Sequence, residues 1–272
     1  DGLRNGQAGN FKDPKWQYFG INAESLAYST LNNDGISNWI YRWDETKHAS
    51  SCWAEKLKAG STLSAWTGYG IAQEKDTTYT YSGTLINSNH TYNLTYTDDT
   101  NTNDDIGNNL ITNSYTAPID ITTLDDSNFD KAFANILIYN TGSYVEWKNQ
   151  SSVKGFSPGQ VIDIPVNTVN SLSSNYPRTI ASSQAFFVTA KPGGGKFIIN
   201  YDKNVYNATQ TSNVKRAKDT DNSKNFENVL CITVENSTST DQLHLLEHNA
   251  TTPEFDNGYD AKKHFDNPTG MQ

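Results

Sequence analysis

Apolar and polar positions alternate with a period of two along Tyr92-Asn-Leu-Thr-Tyr96, Leu230-Cys-Ile-Thr-Val234 and Leu243-His-Leu-Leu246. Successive side chains of a strand point to opposite faces, so this rhythm predicts sheets with one buried and one wet face. Other short runs are rich in aromatic and β-branched residues and bounded by turn formers: Trp16–Gly20, Trp39–Trp43, Tyr69–Ala72, Tyr79–Leu85, Ile136–Tyr139, Ala185–Thr189 and Lys196–Tyr201. These read as further strands, and Gly193-Gly-Gly195 after Pro192 reads as a hairpin turn. Helical patterning is confined to Asp126–Phe133, where Asp125, Asp126 and Ser127 are capping residues and Phe129 and Phe133 fall on one face. The predicted fold is all-β: two packed antiparallel β-sandwich units, jelly-roll or Ig-like, with one short helix.

The strands also recur in order. Trp16–Ala23 begins a series that Asn108–Tyr115 begins again; Trp39–Trp43 corresponds to Ile136–Asn140, Trp53 to Trp147, Gly68–Gln73 to Gln184–Ala190, and Tyr79–Leu85 to Lys196–Tyr201. Four features in one order favour two related β-units, with room for strands exchanged between them. Asp98–Asp105 contains no hydrophobe and reads as an exposed connection. The units expected are therefore 11–103 and 104–266, the second with a closing C-terminal segment.

Composition narrows the partners. The 272 residues carry 30 acidic and 21 basic side chains, a formal charge of −9, which supplies no basic stripe for a phosphate backbone, so nucleic acid is not expected. Apolar runs fall short of the roughly 20 residues that cross a bilayer, and the polar opening does not read as a signal peptide, which fits an intracellular protein or part of a longer one. Cys52 and Cys231 read as small buried hydrophobes rather than a disulfide or metal pair.

Gly107-Asn-Asn-Leu-Ile-Thr-Asn-Ser-Tyr-Thr-Ala-Pro-Ile-Asp120 resembles a stretch of large surface proteins of Bacteroidota, and Asp241-Gln-Leu-His-Leu-Leu-Glu-His-Asn-Ala-Thr251 with Phe255-Asp-Asn-Gly-Tyr-Asp-Ala-Lys-Lys263 is similar to the ending that often precedes a type IX secretion sorting domain in them. One departure stands out: Thr112-Asn-Ser-Tyr115 occupies the place of the family's Gly-Asn-Pro-Tyr, which implies a different turn geometry. The resemblance implies a cell-surface or secreted protein with neighbouring domains. It implies location and architecture rather than activity; the function expected of such a chain is a non-catalytic, adhesin-like binding or spacer role, with a glycan or surface protein as partner.

Candidate chemistry follows from residue types. Trp43, Trp53, Trp66 and Tyr69 fall in one stretch and are the candidate platform for sugar rings, which stack on indole and phenol faces; most sandwich aromatics are core, and Trp16 and Trp39 are expected there. No cofactor is expected. Calcium is the ion that suits the acidic loops, with Asp256 and Asp260 around a tight turn as metal candidates and Asp98–Asp105 as a second cluster. The same two aspartates would equally serve to hold backbone N–H groups of the turn. His244-Leu-Leu-Glu-His248 matches the H-x-x-E-H zinc pattern, but on a strand its histidines share one face and the glutamate points to the other. A carbohydrate-active enzyme is the alternative function, with Glu45, Glu55, Glu146, Glu235 and Glu254 as scattered carboxylates; a purely structural module is the third reading.

Overall fold

The structure is a computed structural model that describes residues 16–31, 38–47, 51–73, 78–98, 106–140, 161–172, 176–205, 228–235 and 240–262. In chain order its strands are β1 (Trp16–Phe19), β2 (Ser25–Ala27), β3 (Asn38–Trp43), β4 (Trp53–Lys56), β5 (Thr62–Ser64), β6 (Tyr69–Gln73), β7 (His90–Leu94), β8 (Asn108–Thr112), β9 (Ile119–Asp120), β10 (Phe129–Asp130), β11 (Asn135–Tyr139), β12 (Val161–Pro165), β13 (Thr179–Ile180), β14 (Ala185–Thr189), β15 (Gly195–Ile199), β16 (Asn228–Glu235) and β17 (Thr240–Glu247). Among the described residues two single-turn helices, α1 (Tyr28–Leu31) and α2 (Tyr201–Asn204), and three 3-10 turns accompany the strands. The fold is all-β, and every strand pairing among the described residues is antiparallel.

One four-stranded sheet has the order β1-β6-β3-β4 and a second the order β12-β11-β14-β8. Matching β1 with β8, β3 with β11, β4 with β12 and β6 with β14 superposes the two orders; the first, second and fourth matches are recurrences visible in the sequence, whereas Tyr79–Leu85 has no strand to answer β15 and Trp147 lies outside the described residues. The small pairs β2-β5 and β13-β9 repeat the correspondence. His90–Leu94, which precede the Asp98–Asp105 connection, form β7 and join the later part of the chain in the sheet β10-β15-β7. Tyr92 and Leu94 accordingly lie in the larger core with Phe186, Phe197, Ile136 and Ile164, while Ile21, Leu26, Ile40, Leu63 and Ile71 build the smaller one. Each fully buried side chain of this size contributes about 1.5–3 kcal/mol.

Four expectations are corrected. Tyr79–Leu85 forms no strand, although Tyr79 and Tyr81 pack on the smaller core. The helix near Asp126–Phe133 is a single 3-10 turn, Asp126–Asn128, closed by a capping box between Asp125 and Asn128. It stops because Phe129 and Asp130 pair with Phe197 and Lys196, and because Lys131 has left-handed backbone at φ 50°. Pro192-Gly193 does form a tight turn, with the Gly194 N–H donating to the Lys191 carbonyl, but it carries the chain from one sheet to another rather than closing a hairpin. Cys52 is buried, whereas Cys231 is exposed on β16.

Candidate functional site

The aromatic stretch is used where the two four-stranded sheets meet. Tyr18 on β1, Trp43 on β3 and Trp53 on β4 pack against Leu110, Leu137, Ala185 and Phe187 of the second sheet. Trp43 meets Trp53 edge-to-face at 5.0 Å and Phe187 at 4.9 Å, and its indole Nε1–H donates to the Asn108 carbonyl at 2.7 Å. Tyr18 stacks on Tyr139 at 4.6 Å and meets the edge of Phe187. Strand alternation sets Tyr18 and Trp43 on the face that looks at the second sheet, and a register shift between Arg42 and Trp43 in the β3–β4 pairing brings Trp53 opposite Trp43 on that same face.

Trp66 and Tyr69 lie elsewhere. Trp66, in left-handed backbone at φ 67°, stacks flat on His90 at 3.9 Å and touches Tyr92 and Tyr115 with its edges. Its backbone N–H donates to Ser114 Oγ, which in turn donates to the Ile21 carbonyl, so the segment after β8 is tied to the chain on either side of β3. Burial holds His90 down to about 4, so its ring is neutral at physiological pH. Tyr69 is 2% exposed and accepts from the Ser64 N–H. Of the four platform candidates the structure therefore brings Trp43 and Trp53 together, half-buried between sheets, and separates the other two. Trp39 is buried as expected, and Trp16 is half-buried beside Tyr41.

Close backbone approach adds to the seam. A side chain at Gly20 would overlap Thr112, and one at Gly68 would overlap Leu110, both on β8. Thr112 stands where the resembling family carries glycine, and it is accommodated because position 20 is glycine; its Oγ1 is buried without a hydrogen bond.

Glu45, only 2% exposed, had no signal in the sequence that distinguished it. Its carboxylate accepts from the N–H groups of Thr97 and Gly107 and from the Thr97 hydroxyl, tying the turn after β3 to the chain that enters β8. Burial alone raises its pKa, but the donated N–H and hydroxyl groups outweigh that and hold it below the usual value. Of the other scattered carboxylates, Glu55 is half-exposed and pairs with Arg42 at 3.1 Å. These two, with Ser61, Ser64, Thr67 and Tyr69, line a shallow polar cleft of about 180 Å³, below the ~300–1,000 Å³ of ordinary small-molecule sites. Glu235 and Glu254 are exposed, and Glu146 lies outside the described residues.

Asp256 and Asp260 brace a turn. Asp256 Oδ2 accepts from the Thr252 N–H at 2.5 Å, and Asp260 Oδ2 accepts from the Asp256 N–H at 2.8 Å. Gly258, at φ 78°, lies so close to Asn167 Nδ2 that a Cβ would overlap it. The turn is clipped across β11 and β12: Asn257 Oδ1 accepts from the Ala134 N–H, the Gly258 carbonyl from the Asn167 N–H, and the Asp260 carbonyl from Asn135 Nδ2. Asp163 closes the clasp by accepting from Asn135 Nδ2 at 2.7 Å and the Lys262 N–H at 3.0 Å. Burial pushes its carboxyl up to about 6 against those two bonds. Among the described residues no three His, Cys, Asp or Glu side chains converge as a metal-binding group; of the Asp98–Asp105 cluster, 99–105 lie outside the described residues.

His244 and His248 share one side of β17 and its extension. His244 Nδ1 lies 3.4 Å from the Tyr176 hydroxyl, and the His248 ring packs near Tyr259. Glu247, exposed on the other side, accepts from Asn228 Nδ2. The histidine-glutamate pattern is thus spread over two faces of a strand. Among the described residues no helix is long and apolar enough to cross a membrane.

No family model matches the chain, and no solved structure matches it. The chain is 30% identical over 260 residues to the minor fimbrium subunit Mfa5 of Porphyromonas gingivalis, a surface protein of Bacteroidota, in a match that covers 91% of this chain. The match covers 20% of that relative, so the chain spans about a fifth of its length.

Proposed function

We propose that the chain is a non-catalytic module of an exported Bacteroidota surface protein and serves as an adhesin-like or spacer unit in a fimbrium-associated assembly. The observation that carries this reading is the similarity to a minor fimbrium subunit along nearly the whole chain. The architecture supports it: Trp43, Trp53 and Trp66 are engaged in joining the units, and Glu45 anchors the same junction. Two antiparallel sheets packed through buried aromatics suit a spacer.

The test is fractionation of cells that carry the gene. Antibody raised against the purified chain should label intact cells and follow the fibres sheared from their surface. Signal confined to the cytoplasm, with intact cells unlabelled, contradicts the proposal.

A further inference from the structure

The ribbon formed by β16 and β17 is amphipathic in an inverted sense. Cross-strand partners share a face, so Leu230 with Leu245, Ile232 with Leu243 and Val234 with Asp241 lie together. This apolar face is wet along both strands: Leu230, Ile232, Val234, Leu243 and Leu245 are 55%, 41%, 53%, 55% and 52% exposed. The opposite face carries Val229, Cys231, Thr233, Gln242, His244 and Leu246; its β16 residues are exposed too, while on β17 it turns the half-buried His244 towards Tyr176 and Leu246 towards the larger core. The five aliphatic side chains expose on the order of 400–500 Å² together, as large as the largest apolar patch of a typical soluble monomer. Among the described residues β16 pairs with β17 alone, and no described strand lies against its outer edge.

Charge decides what fits there. The apolar face is bracketed by carboxylates: Asp241 lies opposite Val234 at one end, and Glu247 opposite Asn228 at the other. Residues 228–248 include no Lys or Arg. A second copy would bring the same carboxylates to the rim of a joint face in a chain already at −9, which like-charge repulsion opposes. A strand with alternating apolar residues and a Lys or Arg at each end answers both features.

We propose that this face docks an extended β-strand segment of another protein, apolar at alternate positions and basic at its ends. The strand adds to the outer edge of β16 and continues the face of Leu230, Ile232 and Val234. Its basic ends lean across β16 towards Asp241 and Glu247. The proposal rests on the reading of the chain as a module of a protein assembly, and it names the chemistry of the partner.

The test titrates the whole purified chain with a fluorescent peptide, Gly-Lys-Thr-Val-Thr-Ile-Thr-Lys-Gly, and with its counterpart in which both lysines are glutamates. Saturable binding of the lysine peptide is expected, about tenfold tighter than the glutamate peptide. It should be lost in Ile232→Lys and weakened several-fold in Asp241→Asn/Glu247→Gln, which leaves the apolar face in place. Equal binding of both peptides, or of neither, overturns the proposal, as does a chain dimer in sedimentation that Ile232→Lys dissolves. Failure of these titrations leaves the cell-fractionation result untouched, so the two readings fail separately.

Discussion

The seam between the two large sheets and the outer face of the β16–β17 ribbon are both apolar, and they differ in what lies opposite. At the seam, Tyr18, Trp43 and Trp53 meet Leu137 and Phe187 of a sheet with the same strand order. On the ribbon, five aliphatic side chains are about half exposed, with carboxylates at either end. Large aromatics with a polar handle can be buried against backbone, as the Trp43 bond to Asn108 shows; short aliphatics on a two-stranded ribbon have no second layer, and such ribbons are marginal alone. The first surface is built for folding and the second for association.

Substitutions at the seam should therefore weigh most. Phe187→Ala removes a ring shared by Tyr18 and Trp43 and should cost about 3–5 kcal/mol in urea unfolding, whereas Leu243→Ala on the ribbon should cost less than about 1 kcal/mol; similar losses for both would erase the distinction. Glu45→Leu strands the Thr97 and Gly107 N–H groups and should cost about 3 kcal/mol by the same measurement.

The titratable groups sharpen the contrast by sign. Asp163 is raised to about 6 from 3.8, so the native chain keeps a proton that the unfolded chain has lost. That contribution is complete below the unfolded value and is lost as pH rises through 6. His90 is lowered to about 4 from 6.5, so its contribution is complete above 6.5 and is lost as pH falls through 4. The Tm of Asp163→Asn relative to the parent should rise from pH 4 to 7, and that of His90→Phe should rise from pH 7 to 4. Parallel lines for either variant would show that its site does not titrate as described. The smallest effect is Thr112→Val, which removes a buried hydroxyl without a partner and should be neutral or stabilising by up to about 1 kcal/mol.

Much of this frame is legible in the chain itself. The runs at Trp16, Trp39, Tyr69, Ile136 and Ala185 are strands, and their recurrence in order reappears as two sheets of one topology. Period-two alternation identifies Leu230, Ile232 and Val234 as sharing a face, but the same alternation arises whether that face meets a core or water, so its exposure was not readable. The short capped turn at Asp126 was readable as a helix start, whereas its arrest depends on Phe129 pairing with Phe197 about seventy positions away. Glu45 illustrates the same limit, because Thr97 and Gly107 reach it only through the tertiary fold. Asp256 and Asp260 show where local chemistry leaves two roles open: acidic residues around a glycine turn suit a cation or backbone N–H groups, and here each accepts from backbone N–H.

Backbone amide hydrogen exchange of the unliganded chain tests the division between the two surfaces most directly. Amides of β8 and β14 at the seam should exchange only through global unfolding, with rates that climb steeply in low denaturant. The β16 amides that point away from β17 should exchange orders of magnitude faster, through local opening that denaturant barely alters. Protection of those β16 amides equal to that of β14 would mean that the ribbon's edge is already covered, and would contradict the account.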